Sequence, residues 1–467
     1  MTGMPADATR PVRMIESIDP ATGAQVAVYA ETTPAEVLRA IERADLAHQS
    51  WRRVPPAQRA AALRRVGAVL RDGAESYAQL MTCEMGKPIL QARAEVEKCA
   101  WVCDYYAEQG PTLLAPTSIR TDARHSFVTF QPLGVVLAIM PWNFPFWQVL
   151  RFAAPTLLAG NGAILKHASN VSGCALALAK LFREADFPED LFATVLVGVE
   201  EVGPMIEHPL VRAVTVTGST AAGKAVAARA GALAKKTVLE LGGSDAYVVL
   251  EDADLNRTVE SCVASRLING GQSCIAAKRF IVVEAVQEDF LERFVAAMAA
   301  RTMGDPRRED IDLGPLARND LRDKVHRQVV ESHEQGARVL LGGVVPEGPG
   351  AYYRPTVLAG VQPGMPAYHE ELFGPVAAVI SARDETDAVR IANDSPYGLG
   401  AAVFTGDLAR GERIATEELQ AGSCFVNAFV KSDPRLPFGG IKESGYGREL
   451  SSFGAYEFVN VKTIYVA

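Results

Sequence analysis

The sequence predicts an α/β fold with two parallel sheets, helices on their faces, and a few peripheral strands. Three observations predict it. Short apolar runs alternate with stretches of helical periodicity from Gly134 onward, the pattern of strand–helix–strand units. That alternation starts afresh near residue 240. Two polar-alternating segments, 119–131 and 458–466, read as edge strands or hairpins that pair outside their own domain.

In chain order, Thr33-Pro34-Ala35-Glu36 is a capping box with proline at the first helical position. Val37, Ala40, Ile41 and Ala44 mark the apolar face of the helix it opens. A second helical stretch is expected over 56–85, stopped by Gly86-Lys87-Pro88, and a third runs to about Gln109. Segments 135–140, 163–166, 193–197 and 214–217 read as buried strands, with helices over 171–184 and 221–230 among them. The next set of strands is 237–241, 246–250 and 280–283, with a helix over 254–268. This places a second α/β domain at about 241–430. No internal repeat or low-complexity linker interrupts the chain.

The bulk numbers narrow the function classes. Over 467 residues, 48% hydrophobic and 22% charged residues match an ordinary soluble globular protein. The formal net charge of −8 is dispersed, with no basic stripe for nucleic acid or an anionic membrane. No apolar run approaches the ~20 residues of a spanning helix. Residues 1–13 lack the apolar core of a secretory signal and read as a ragged tail. Seven cysteines in a chain this long do not make a disulfide framework. Cys99 and Cys103, four apart on an expected helix, have no His or Cys cluster beside them, so both are expected to be buried rather than metal-bound. A reducing, cytoplasmic setting fits this pattern.

Three residues stand out chemically. Cys274 follows Gly271-Gln272-Ser273, and a helix is expected to begin after it, which would favour the thiolate through the dipole and free N–H groups. The Gly270-Gly271 pair reads as a place where a ligand approaches the backbone closely. Asn143, between Trp142 and Phe144 and flanked by Pro141 and Pro145, can offer its NH₂ to an oxyanion together with the Cys274 N–H. Glu240 sits in an apolar strand, where a carboxylate is paired, protonated or functional; a raised pKa would suit a general base. Each has a structural reading too: a small buried hydrophobe, a turn asparagine, a salt-bridged core glutamate. Gly218-Ser219-Thr220-Ala221-Ala222-Gly223 bridges a strand and a helix and could hold a dinucleotide phosphate, although it is not the G-x-G-x-x-G fingerprint.

Together with Lys166, Glu371-Leu372-Phe373-Gly374-Pro375 and Pro437-Phe438-Gly439-Gly440, these strings resemble the aldehyde dehydrogenase superfamily over nearly the whole chain. Lys166-His167-Ala168-Ser169-Asn170 and Leu241-Gly242-Gly243-Ser244-Asp245 are most similar to its bacterial succinate-semialdehyde dehydrogenase subgroup. The resemblance implies a Rossmann-type cofactor-binding domain at 1–118 and 139–240, and a catalytic domain at 241–430. It also implies a small β oligomerisation flap at 119–138 and 446–467, hence a homodimer or homotetramer. Cys274 would be the nucleophile, Asn143 the oxyanion donor and Glu240 the general base for thioester hydrolysis. Lys166 would hold the adenosine ribose, Gly218, Ser219 and Gly223 the pyrophosphate turn, and Glu371 the nicotinamide ribose, with Trp142 and Phe373 bordering the cofactor. The implied reaction oxidises an aldehyde, succinate semialdehyde first among candidates, as in 4-aminobutyrate degradation. Another short-chain semialdehyde or an uncharged aldehyde remains an alternative.

Two departures from the family pattern bear on specificity. Ser169 stands where NAD-preferring members often carry a glutamate; serine can hydrogen-bond a 2′-phosphate, so NADP is expected, with NAD also accepted. Arg151 matches an arginine that reaches the substrate carboxylate, but Ile268 stands where a second such arginine would be. Ser432, Lys431 or Arg435 on a late loop are the candidates to compensate. A cysteine hydrolase would instead need a histidine beside the thiol, and the histidines at 48, 125, 167, 208, 326, 333 and 369 form no recognisable motif. A catalytically silent nucleotide-binding protein is opposed by the joint presence of Cys274, Glu240 and Asn143.

Overall fold

The structure is a computed structural model describing residues 13–467, so the tail reading for 1–13 lies, Arg13 apart, outside the described residues. A six-stranded sheet runs in the order Gly445–Tyr446, Lys236–Glu240, Val211–Thr217, Val135–Met140, Gly162–His167, Phe192–Val195. All its pairings are parallel except that of Gly445–Tyr446. Val135–Met140 is almost wholly buried along its length, as a strand covered by helices on both faces must be. From that strand the chain builds outward through 162–167 and 192–195, then returns to the other side at 211–217. The reversal opens a crevice beyond the carboxyl ends of Val135–Met140 and Val211–Thr217, where ligands of open α/β sheets bind.

A seven-stranded sheet follows, ordered Arg338–Leu341, Thr356–Ala359, Val376–Ala382, Ala277–Val283, Asp245–Val249, Gly400–Phe404, Ser423–Val426. Only Arg338–Leu341 is antiparallel within it. The tail strand Val459–Val466 pairs antiparallel with His125–Pro132, which also pairs with Thr117–Ser118. The segment 119–138 is thus shared: 125–132 belongs to this three-stranded sheet, whereas Val135 onward lies in the middle of the six-stranded one. Tyr446 likewise pairs with Leu239 in the larger sheet.

The capping box forms as read: Glu36 N–H donates to Thr33 Oγ1 at 3.3 Å, and Thr33 N–H to Glu36 Oε2 at 2.8 Å. The stretch expected as one helix over 56–85 is two, Pro56–Asp72 and Ala74–Met85, meeting at Gly73. A Cβ there would lie 2.7 Å from the Tyr77 ring. The third helix, Ile89–Leu113, passes the expected end at Gln109 and carries Pro111 inside. The hairpin of Met14–Ile18 with Gln25–Ala30 was not read from the sequence; its residues are mostly exposed, so no apolar alternation marks it. Cys99 and Cys103 are fully buried. No helix among the described residues is long and apolar enough to cross a membrane.

One buried polar group orients the helix that faces the site. Glu95, on Ile89–Leu113, accepts the Phe146 and Trp147 N–H groups at 3.0 Å each and pairs with buried Lys87. It thereby satisfies first-turn donors of helix Trp147–Ala159, which would otherwise be orphaned in the core. Gln148 and Arg151 ride on that helix.

Candidate active site

Cys274 lies between two cavities of about 190 Å³ each and lines both, as does Gln148. The first cavity opens over the crevice of the six-stranded sheet. Its wall includes Pro141, Trp142, Asn143, Thr217, Gly218, Ser219, Gly242, Glu371 and Phe373. The second is an apolar sleeve of Phe144, Trp147, Ile268, Ile275, Phe429 and Phe438, with Lys98, Arg151, Lys431 and Ser432 also on its wall.

The loop carrying Cys274 departs from the sequence reading. No helix follows the cysteine; a short 3₁₀ turn, Ile268–Gly271, precedes it and the buried strand Ala277–Val283 comes after. The expected dipole assistance is therefore absent. Burial instead pushes the half-buried thiol up to about 12, against the pull of Arg151 and Lys278. Ile275 and Ala276 form a turn and bend that feed Ala277 into a buried strand, where local helix propensity is overridden. Gly271 also has a different purpose: a Cβ there would lie 2.2 Å from the Gly374 carbonyl oxygen, and its φ is +77°. It serves backbone-on-backbone packing.

Lys278, not anticipated from sequence, staples this turn. Its buried ammonium donates to the carbonyls of Ser273, Cys274 and Ala276 at 2.9, 2.8 and 3.1 Å and lies 3.6 Å from Glu371 Oε1. Glu371 in turn accepts the Gly243 N–H at 3.0 Å. Burial lowers the Lys278 pKa, and the Glu371 carboxylate opposes that shift.

Asn143 is held rigidly. Its Nδ2 donates to Gln272 O at 3.0 Å, its Oδ1 accepts from Gln148 Nε2 at 3.0 Å, and its own carbonyl accepts from Asn269 Nδ2 at 2.7 Å. One Nδ2 hydrogen is left for another acceptor. Asn269 reaches this position in the left-handed region, at φ 52°.

Glu240 ends strand Lys236–Glu240 and is buried, with no hydrogen-bond partner on either carboxylate oxygen. Burial first, then the neighbouring Glu449 carboxylate, hold it well above the usual carboxylate range; Arg151 and Arg448 pull the other way. It lines neither cavity and faces Gly439, where a Cβ would stand 2.8 Å from Oε1.

On the first cavity, Ser219 N-caps helix Thr220–Gly231, its Oγ accepting the Ala222 N–H at 3.3 Å. The first-turn N–H groups and positive helix end thus face the crevice, as an anion site requires. Buried Thr217 Oγ1 on the same wall has no partner, and a Cβ at Gly218 would meet only Val216 Cγ1, at 4.0 Å. Gly223 is off the wall: its missing side chain admits Leu241, whose Cδ2 would be 2.4 Å from a Cβ. Trp142 and Phe373 meet edge to face with centroids 5.7 Å apart. Lys166, one residue before the end of strand Gly162–His167, has its pKa lowered by burial, and exposed Ser169 follows at the start of a 3₁₀ turn; neither is on the cavity wall itself. These groups suit an extended anionic ligand with hydroxyls and an aromatic end, which is the make-up of a dinucleotide.

On the second cavity, Arg151 is buried, paired with Glu449, and stacked over Phe438 at 4.5 Å; its Nη2 has no hydrogen-bond partner. Ser432 Oγ accepts from Lys98 Nζ at 2.7 Å. Arg435 does not compensate for the absent second arginine: it is exposed, paired with Asp433 at 2.7 Å, and lies over Trp101. No histidine lines either cavity, and His167 is engaged with the Met140 and Pro145 carbonyls. A thiol–imidazole pair of the hydrolase kind is therefore missing at Cys274.

Comparison with known proteins gives the same picture. The family model described as "Aldehyde dehydrogenase family" matches residues 7–464. The chain is 50% identical over 449 residues to the succinate semialdehyde dehydrogenase (NAD(P)+) of Escherichia coli (strain K12), covering 96% of this chain and 97% of the relative. It is 46% identical to the succinate-semialdehyde dehydrogenase (NADP(+)) of Mycobacterium leprae (strain TN), over 97% of this chain and all of that one. The crystal structure of succinic semialdehyde dehydrogenase from Streptococcus pyogenes, in complex with NADP+, superposes with a TM-score of 0.95. That likeness has 36% identity and covers 97% of this chain and 99% of the other.

Proposed function

The chain belongs to the aldehyde dehydrogenase family, and from that we propose that it oxidises succinate semialdehyde to succinate with NADP, NAD serving less well. The observation that carries this reading is Cys274 at the meeting point of two cavities, one suited to a dinucleotide and one apolar with cationic groups on its wall. Trp142, Lys166, Ser169, Gly218, Ser219, Glu371 and Phe373 would hold the cofactor, which when bound supplies a hydride acceptor.

The remaining chemistry is the protein's own. Cys274 Sγ gives its proton to solvent water and adds to the aldehyde carbon, forming a C–S bond while the carbonyl π bond opens to an oxyanion. Asn143 Nδ2 and the Cys274 N–H stabilise that oxyanion. As the carbonyl reforms, the C–H bond breaks with loss of hydride, leaving a thioester on Cys274. Glu240 takes a proton from water, which adds to the thioester carbon; the C–S bond then breaks and the acid leaves. Neither Glu240 carboxyl oxygen has a hydrogen bond to break before the side chain turns toward the thioester.

We read the pairing of Val459–Val466 with His125–Pro132, with Val461 and Tyr465 exposed, as an oligomerisation flap of a homodimer or homotetramer. Seven cysteines without a disulfide fit a cytoplasmic enzyme of 4-aminobutyrate degradation. The test is a kinetic panel of succinate semialdehyde, glutarate semialdehyde and butanal with NADP and with NAD, following absorbance of the reduced nicotinamide. The highest kcat/KM is expected for succinate semialdehyde with NADP. Absence of turnover with every aldehyde, or a preference for butanal, refutes the reading.

A further inference from the structure

Helix Ile89–Leu113 presents Gln91, Ala94, Glu95 and Lys98 to the second cavity, a single helical face at spacings of three and four residues. Lys98 reaches furthest along it. Its ammonium donates to Ser432 Oγ at 2.7 Å and sits 4.4 Å from the centre of the Trp147 ring. The loop that brings Ser432 there is anchored by the Val430 N–H donating to buried Tyr247 Oη at 2.7 Å. No carboxylate forms an ion pair with Lys98 among the described residues, while Arg151, on the same wall, has Glu449 on one edge and an unpartnered Nη2.

A mostly buried cation without a counter-ion, close enough to another cation to feel its repulsion, is an arrangement folding alone does not favour. An anion brought in by a ligand removes the conflict. The sleeve of Phe144, Trp147, Phe429 and Phe438 suits methylene groups between that anion and Cys274. We infer that Lys98, with Ser432 oriented beside it, is the second cationic group of a substrate-carboxylate clamp whose other member is Arg151. This rests on the proposed oxidation of a semialdehyde at Cys274 and assigns its carboxylate end. Lys98 thereby fills the role that Ile268, apolar and on the same wall, cannot.

The charge state of Lys98 supports the inference. Burial, and then the charge of Arg151, bring it down to about 8; Cys99, Glu95 and Asp433 act in the opposite sense. Glu95 is committed to Lys87 and to the Phe146 and Trp147 N–H groups, and Asp433 to Arg435, so neither neutralises it. The clamp is therefore expected to weaken as pH rises through about 8.

The test compares Lys98→Met, which keeps the stem over Trp147, with wild type and Lys98→Arg on succinate semialdehyde and on butanal. Loss of one charge-assisted contact should lower kcat/KM for succinate semialdehyde about 10- to 100-fold, mostly through KM. Butanal turnover should stay within about twofold, and Lys98→Arg should recover part of the loss. Equal losses on both aldehydes, or no loss on succinate semialdehyde, overturn the assignment of Lys98. If wild type itself fails to prefer succinate semialdehyde, the parent reading falls and this inference with it. The wild-type enzyme gives an independent check that needs no variant. KM for succinate semialdehyde relative to that for butanal should rise above about pH 8, and a flat ratio from pH 7 to pH 10 overturns the inference.

Discussion

Glu240→Gln separates catalysis from stability, because the proposed general-base role and the burial of the carboxyl predict opposite signs for its two effects. General-base assistance is worth about 10²- to 10⁴-fold, or about 3–5 kcal/mol of barrier. Glutamine keeps the shape of the side chain but cannot take the proton from water, so steady-state kcat should fall by that factor. Thioester formation does not use this base in the proposed scheme. A rapid-mixing experiment should therefore show a burst of about one reduced nicotinamide per active site, then a slow phase. Stability should move the other way. Folding raises the Glu240 pKa above its ordinary 4.5, through burial and the Glu449 carboxylate. Such an acid contributes its stabilisation fully below the unfolded value and loses it as pH rises through the folded one. Glutamine has no proton to lose. The variant should match or exceed wild type in Tm at neutral pH, with the advantage growing as pH rises above the ordinary carboxyl value. Turnover within about twofold of wild type and no burst would refute the base assignment. A Tm loss of several degrees at every pH would show instead that the carboxylate is ionised and paired.

Three further outcomes are expected. Alkylation of Cys274 by iodoacetamide, isolated by subtracting Cys274→Ser, should rise about tenfold per pH unit from pH 7 to pH 10 in the ligand-free enzyme; a plateau below pH 8 contradicts a thiol raised by burial. Lys278→Met leaves buried carbonyls at Ser273, Cys274 and Ala276 without their donor. It should lose about 2–4 kcal/mol in denaturant unfolding and weaken NADP binding through Glu371; unchanged stability shows the staple to be dispensable. Ser169→Glu should weaken NADP at least about tenfold in fluorescence titration while sparing NAD, since a carboxylate repels the 2′-phosphate; equal effects on both nucleotides place Ser169 away from that phosphate.

The two parallel sheets were legible because their strands are buried on both faces. Runs such as Val135–Met140 are then continuously apolar and stand out against the helices between them. Asn143 and Ser219 were legible because both follow such strands closely, where chain direction alone delivers them to a crevice. Other features left no local trace. The requirement for glycine at 271 comes from Gly374, about a hundred residues away in the chain. Lys98 and Lys278 looked like ordinary charged positions, on a long helix and beside a strand. The expectation of a helix after Cys274 failed because the chain turns at Ile275 and Ala276 directly into the interior strand Ala277–Val283, whose burial outweighs local propensity.

By itself, then, the amino-acid order determined which chemical groups this protein commands: a thiol, an amide and a carboxylate, set among strand ends of two sheets. Folding in three dimensions decided their condition. It pushed the thiol pKa up by burial, kept Glu240 off the walls of both cavities, spent part of Asn143 on Gln272, and set a lysine without an ion pair in an apolar sleeve. The reason is that identity and spacing are properties of the chain. Ionisation and orientation depend on desolvation and on charges from distant segments, which exist only once those segments have packed together.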